Sequence, residues 1–192
     1  AYIGSQLMKM DALDGTWDSL LTGLENNKEP SFTIFRGTGA NELVIFATDS
    51  TVDVPQKWVQ GTAAAATDLT GTPPNFSFAA PHKNRVWAAG VASAPSRLYY
   101  AAALNPEDWV TAGDAGSIDI DPGDGDRITG LASHKNELLI FKGPNKLSIH
   151  RITGSTPAGS DAFARVPFVS GVGSVNHNGI FRVNDDIVFC SP

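Results

Sequence analysis

The sequence predicts an all-β fold built from about four repeats of roughly 50 residues, each a three- to four-stranded antiparallel meander. Three observations predict it. Short apolar runs are punctuated along the whole chain by 19 glycines and 12 prolines in 192 residues, with no single linker collecting them. The phrase Asn-Glu-Leu-Val-Ile-Phe-Ala at 41–47 returns as Asn-Glu-Leu-Leu-Ile-Phe-Lys at 136–142, identical at five of seven positions. A second phrase, Pro-Gln-Lys-Trp-Val at 55–59, returns 51 residues later as Pro-Glu-Asp-Trp-Val at 106–110. Two markers holding one period are hard to produce by chance.

Taken in order, residues 1–30 form an N-terminal segment with strands near Tyr2 to Met10, offering outer strands to an adjoining or closing unit. Ala12 to Leu24 is the one stretch with helical spacing, through Leu13, Trp17, Leu20, Leu21 and Leu24. Gly15, Gly23 and the Asn26, Asn27 pair limit it to a short helix or turn. The first full unit covers 31–75 and is anchored on Asn41. The second covers 76–127; in it Arg85 to Ala89 pairs with Arg97 to Ala102 across a loop holding Ala94 and Pro95. The third covers 128–173. There Glu137 to Lys142 is an apolar strand, Gly143, Pro144 and Asn145 supply a turn, and Lys146 to Thr153 returns; Asp161, Ala162 and Phe163 read as a third copy of the tryptophan phrase. Residues 174–192 start a further unit, its first strand carried by the weaker phrase at 184–191, with Asp185 in place of the asparagine. The anchors Asn41, Asn84, Asn136 and Asp185 lie 43, 52 and 49 residues apart.

Repeats of this length with three or four strands are those of β-propeller blades, whereas solenoid repeats are shorter or helical. A blade packs between two neighbours, so its inner strands must be apolar on both faces, and Leu-Val-Ile-Phe and Leu-Leu-Ile-Phe meet that demand. The predicted fold is therefore a β-propeller or part of one. Either the N-terminal strands complete the last blade and close a ring of four, or the chain is a fragment of a longer propeller. The strand edge left bare at Cys190, Ser191 and Pro192 favours the fragment.

Chemistry is harder to find. No apolar run approaches the roughly 18 residues of a membrane-spanning helix, and no basic-then-apolar leader opens the sequence. A single cysteine, Cys190, excludes an internal disulfide. The net charge of −6 argues against a broad phosphate-gripping surface, although it leaves passage of nucleic acid open. No Gly-x-Ser-x-Gly elbow and no phosphate loop occurs. The four histidines, His82, His134, His150 and His177, lack zinc-site spacing, and His82 and His134 occupy equivalent repeat positions, which marks them as turn or capping elements. Asp119, Asp121, Asp124 and Asp126, interleaved with Gly123 and Gly125, resemble a calcium loop, because hard cations want several carboxylate oxygens on a flexible turn. They lack the EF-hand spacing, and a polar inter-blade loop is the plainer reading. Trp58, Trp87 and Trp109 keep register with the repeat and so read as packing between blades rather than sugar platforms. The sequence predicts no catalytic residues and no organic cofactor.

The run Asn-Pro-Glu-Asp-Trp-Val-Thr-Ala-Gly-Asp-Ala-Gly-Ser-Ile-Asp-Ile-Asp-Pro-Gly-Asp-Gly-Asp-Arg-Ile-Thr-Gly-Leu at 105–131, followed by His-Lys-Asn-Glu-Leu-Leu-Ile-Phe-Lys and Ser-Ile-His-Arg-Ile-Thr-Gly, resembles β-propeller virion proteins of tailed bacteriophages and prophages. The likeness covers 76–192 well and the first 75 residues loosely. It implies a non-enzymatic structural component of the tail, nozzle or head-to-tail conduit, soluble in the host cytoplasm before assembly. Implied partners are other virion proteins and further copies of the chain in a symmetric oligomer. Such a ring surrounds DNA without reading it, and an acidic wall suits that; Asp114 and the four aspartates of the calcium-like loop are the candidates for its lumen or contact loops. Two other readings stay open: a carbohydrate-binding or sialidase-like propeller, and a cellular protein-interaction propeller.

Overall fold

The computed structural model describes residues 1–10, 14–38, 42–61 and 65–192. These form 17 strands in five antiparallel sheets. The first sheet holds β1 (Tyr2–Ile3), β2 (Gln6–Met10) and β3 (Trp17–Leu21). The second holds β4 (Pro30–Phe35), β5 (Leu43–Thr48), β6 (Gln56–Val59) and β7 (Thr67–Asp68). The third holds β8 (Phe78–His82), β9 (Arg85–Ala89), β10 (Arg97–Tyr100) and β11 (Gly116–Asp119). The fourth holds β12 (Arg127–His134), β13 (Glu137–Gly143), β14 (Ser148–Thr153) and β15 (Ala164–Ser170). The fifth is the hairpin β16 (Ile180–Val183) and β17 (Asp186–Phe189). Every sheet is a plain meander in chain order. Among the described residues there is no α-helix, and none long and apolar enough to cross a membrane.

The repeated phrase marks the second strand, not the first, of the second to fifth sheets, so β17 follows β16 where the sequence placed an opening strand. Its asparagine belongs to the tight turn from the first strand. His82 pairs with Arg85 across Lys83 and Asn84, both left-handed at φ 47° and 59°, the backbone of a two-residue hairpin whose twist suits the strands. Lys135 at φ 52° and Asn184 at φ 55° recur in the same place. Asn41 lies outside the described residues.

Strand alternation explains the stacking. Along β13, Leu138 and Ile140 enter the core shared with the third sheet, while Leu139 and Phe141 enter the core shared with the fifth. β5 does the same: Ile45 packs toward the third sheet and Phe46 toward the first. Period-two side chains on a strand that is apolar throughout can only be buried if both faces are covered. Each such Leu or Phe contributes about 1.5–3 kcal/mol. The sheets therefore stack in chain order, each consecutive pair sharing a core, with first strand β8 touching both β4 and β12, and β12 touching β16.

Two local expectations fail. Ala12 to Leu24 does not supply a helix, because Trp17–Leu21 is β3, paired Leu7 with Leu21 and Met10 with Trp17; residues 11–13 lie outside the described residues. The helical spacing of its leucines was coincidental, and flanking Gly15 and Gly23 sit at φ 72° and 84°, turning the chain out of the segment at both ends. The two tryptophan phrases also fold differently: Trp58 lies on β6, Trp109 in the loop after β10. The side chains nonetheless play one part. Trp58 packs into the core between sheets one and two, Trp109 between two and three, and Phe163 between three and four. Phe163 meets Trp87 and Tyr100 edge-on, centroids 4.9 and 5.3 Å away.

Candidate functional site

The acidic loop after β11 wraps a cation, but the cation is a lysine. Lys142, on β13, is fully buried. Its Nζ donates to the carbonyls of Ile120 at 2.6 Å and Asp121 at 2.9 Å, to Asp124 Oδ2 at 2.8 Å and to Ser96 Oγ at 3.4 Å. An ammonium this deep is tolerated only where oxygens replace its hydration, and the Asp-Gly turns of 121–125 bring them there. Burial pushes the Asp124 carboxyl up, but the bond and charge of Lys142 together with the Asp126 N–H more than reverse this and hold the group below its ordinary carboxylate value.

The other three aspartates face elsewhere. Asp119 forms a two-pronged pair with Arg97, Nε to Oδ1 at 2.7 Å and Nη2 to Oδ2 at 3.0 Å, and this pairing lowers its pKa. Asp121 binds Arg165 and lies 3.6 Å from His150 Nε2. Asp126 is buried, its Oδ1 taking the Asn145 N–H at 2.7 Å and its Oδ2 those of Lys146 at 2.8 Å and Leu147 at 3.2 Å. Burial pushes it up and these backbone donors more than reverse that, leaving it low. The predicted cation loop thus does not converge on a point, and among the described residues no three His, Cys, Asp or Glu side chains are arranged to hold a metal ion. Asp114, the fifth acidic candidate, binds the buried Arg85 at 2.5 Å; Arg85 also donates to the Ala101 and Asp114 carbonyls and lies over the Tyr100 and Phe163 rings.

Sequence reasoning missed Lys142. The signal was present: in the aligned phrases the position is Ala47 in one copy, Gly90 in another and Lys142 in the third, a charge where the repeat otherwise keeps a small residue.

Ser148, His150 and Asp121 come together without forming a triad. Ser148 Oγ stands 3.1 Å from His150 Nε2, the same nitrogen that faces Asp121, while Nδ1 is buried without a partner. Activating a serine needs the carboxylate on the far nitrogen, fixing the tautomer. Burial lowers the His150 pKa.

The repeat-equivalent histidines act as ties between sheets. His82 Nδ1 meets Ser133 Oγ at 2.9 Å and His134 Nε2 meets the Asp185 carbonyl at 2.7 Å, each 51 residues ahead. Burial drops His82 to a pKa of about 4. His177 stacks on Phe78 at 4.7 Å, accepts the Leu131 N–H at Nδ1, and is also held near 4 by burial. It helps line a cavity of about 420 Å³ where the starts of β4, β8 and β12 meet the segment before β16. Glu29, Asp49, Arg127, Asn176 and Phe78 share that wall.

No protein-family model matches the chain, and no curated protein matches it.

Proposed function

We propose that the chain is a β-propeller structural component of a tailed-phage virion, working by subunit assembly in the tail or head-to-tail conduit. Blade-like sheets stacked in chain order, with their first strands side by side around one cavity, support the propeller. The observation that carries assembly is the outer edge of the fourth sheet. The corresponding edge strands β7 and β11 are two and four residues long and mostly polar, whereas β15 runs for seven and exposes Phe168 at 52% and Val169 at 37%. Pro167 and the bulge opposite Ile149 and His150 interrupt the backbone ladder along this edge, so what it offers a neighbouring chain is its exposed apolar side chains. The acidic net charge suits a wall along which DNA slides.

Tailed virions purified from the native source, read by electron microscopy and mass spectrometry together, are expected to contain this chain in a symmetric ring. Recovery of the chain only as a free monomer, with none in virions, would sink the reading. Phe168→Lys is expected to weaken self-association at least tenfold by light scattering while leaving the circular dichroism spectrum unchanged; unchanged association would remove β15 from the interface.

A further inference from the structure

We infer that the cavity at the starts of β4, β8 and β12 binds a basic amino acid by both of its charged ends, the side-chain cation on Glu29 and Asp49 and the carboxylate on Arg127. Such a site goes beyond assembly and is open in the free chain. Glu29 and Asp49 face each other where β4 begins and β5 ends. The Glu29 N–H donates to Asp49 Oδ1 at 2.7 Å, and the Asp49 N–H donates to the Glu29 carbonyl at 3.3 Å. Both residues line the cavity. Asn176 and Asn178 each donate a side-chain amide to Glu29 Oε1. Among the described residues, Glu29 Oε2 and Asp49 Oδ2 accept no hydrogen bond, and neither carboxylate forms an ion pair. Like charges directly opposite across a strand pair oppose folding, so this pair calls for a cation that the chain does not supply. Among the described residues no three acids or histidines are placed to hold a metal ion, and an organic cation fits the two carboxylates instead.

Arg127, which opens β12, lines the same cavity, and among the described residues its guanidinium has no hydrogen bond or ion pair. The acids belong to the second sheet and Arg127 to the fourth. Between them stands the third sheet, whose Phe78 and Val91 also line the cavity. Opposite charges that share a cavity without pairing are bridged by a ligand that carries both. The charges match as well. Two anions and one cation on the wall face two cations and one anion on arginine or lysine at neutral pH. His177 adds no charge there, because burial holds its pKa near 4. A guanidinium has donors enough for two carboxylates, and Phe78, Val91 and Ile128 offer apolar surface to a methylene stem. A volume of about 420 Å³ is that of a small-ligand pocket.

Titration calorimetry on the full chain tests this with three probes. L-arginine carries both charges, agmatine lacks the carboxylate, and L-citrulline replaces the guanidinium by a neutral urea. L-arginine is expected to bind with a Kd below about 1 mM, and the other two about tenfold more weakly, the loss of one charge-assisted contact each. Arg127→Ala removes a side chain without a partner in the fold and is expected to abolish the preference for L-arginine over agmatine. Glu29→Gln combined with Asp49→Asn keeps acceptors for Asn176, Asn178 and the Glu29 N–H, and is expected to abolish the preference over L-citrulline. No saturable heat with L-arginine overturns the site, as do equal affinities for the three probes or preferences that survive both variants. Each of these results leaves the virion reading untouched.

Discussion

Replacing Lys142 by methionine is expected to destabilise the fold by about 3 kcal/mol, the low end for removing one partner of a buried ion pair, read as a drop in the urea midpoint at unchanged slope. Methionine matches the lysine stem in length and polarity, so the packing between β13 and its neighbours is kept. What is lost is the ammonium that serves the carbonyls of Ile120 and Asp121 and the carboxylate of Asp124. Asp124 keeps some access to water, its side chain 22% exposed, which is why the low end applies. For a domain of this size the change corresponds to a melting temperature about 10 °C lower. Asp124→Asn should cost less, because the amide oxygen still accepts from Lys142. A Lys142→Met loss under 1 kcal/mol would show that the loop holds its shape without the ammonium.

The second large effect is expected at Asp126. Alanine there strands the backbone N–H groups of Asn145, Lys146 and Leu147 in the β13–β14 turn, at about 1 kcal/mol each, so about 3 kcal/mol together. The pH dependence has a definite sign. Asp126 has a lowered pKa in the fold, so its contribution is present above the unfolded carboxylate value of about 4. It is lost as pH falls through the lower folded value. The wild type and Asp126→Ala should therefore differ most near neutrality and converge in acid. A gap that widened on acidification would contradict the role assigned to the carboxylate.

The parts of this fold readable in the sequence are those where one physical demand fixes several residues at once. A second strand buried on both faces must be apolar throughout, so Leu-Val-Ile-Phe and Leu-Leu-Ile-Phe stand out and their spacing counts the sheets. The His-Lys-Asn turns stand out because few residues accept left-handed backbone. Outer strands carry no such demand: β11 is Gly-Ser-Ile-Asp and β7 only Thr-Asp, indistinguishable from loop. The false helix at Ala12 to Leu24 shows the opposite failure, a helical spacing met by accident on a strand. The acidic loop reads in the sequence first as a polar loop between repeats and second as a cation loop. In the structure Asp124 and the carbonyls of Ile120 and Asp121 surround the Lys142 ammonium. Spacing within the loop cannot say whether the charge is a dissolved ion or a side chain from the next sheet, and here Lys142 arrives from β13. The Ser148, His150 and Asp121 grouping was invisible for the same reason, since β14 and the loop after β11 meet only in three dimensions.

The histidine ties bear on how the chain reaches this state. His82 reaches Ser133 and His134 reaches Asp185, each one repeat ahead, and every core cluster joins only consecutive sheets. Loop-closure entropy depends on the length closed, so each docking event costs the same modest amount wherever it occurs along the array. A nascent chain can finish one hairpin pair, lay it on its predecessor and continue, with no segment held open for a distant partner during translation. The Asn176 and Asn178 bonds to Glu29, which span most of the sequence, are the step that must come last.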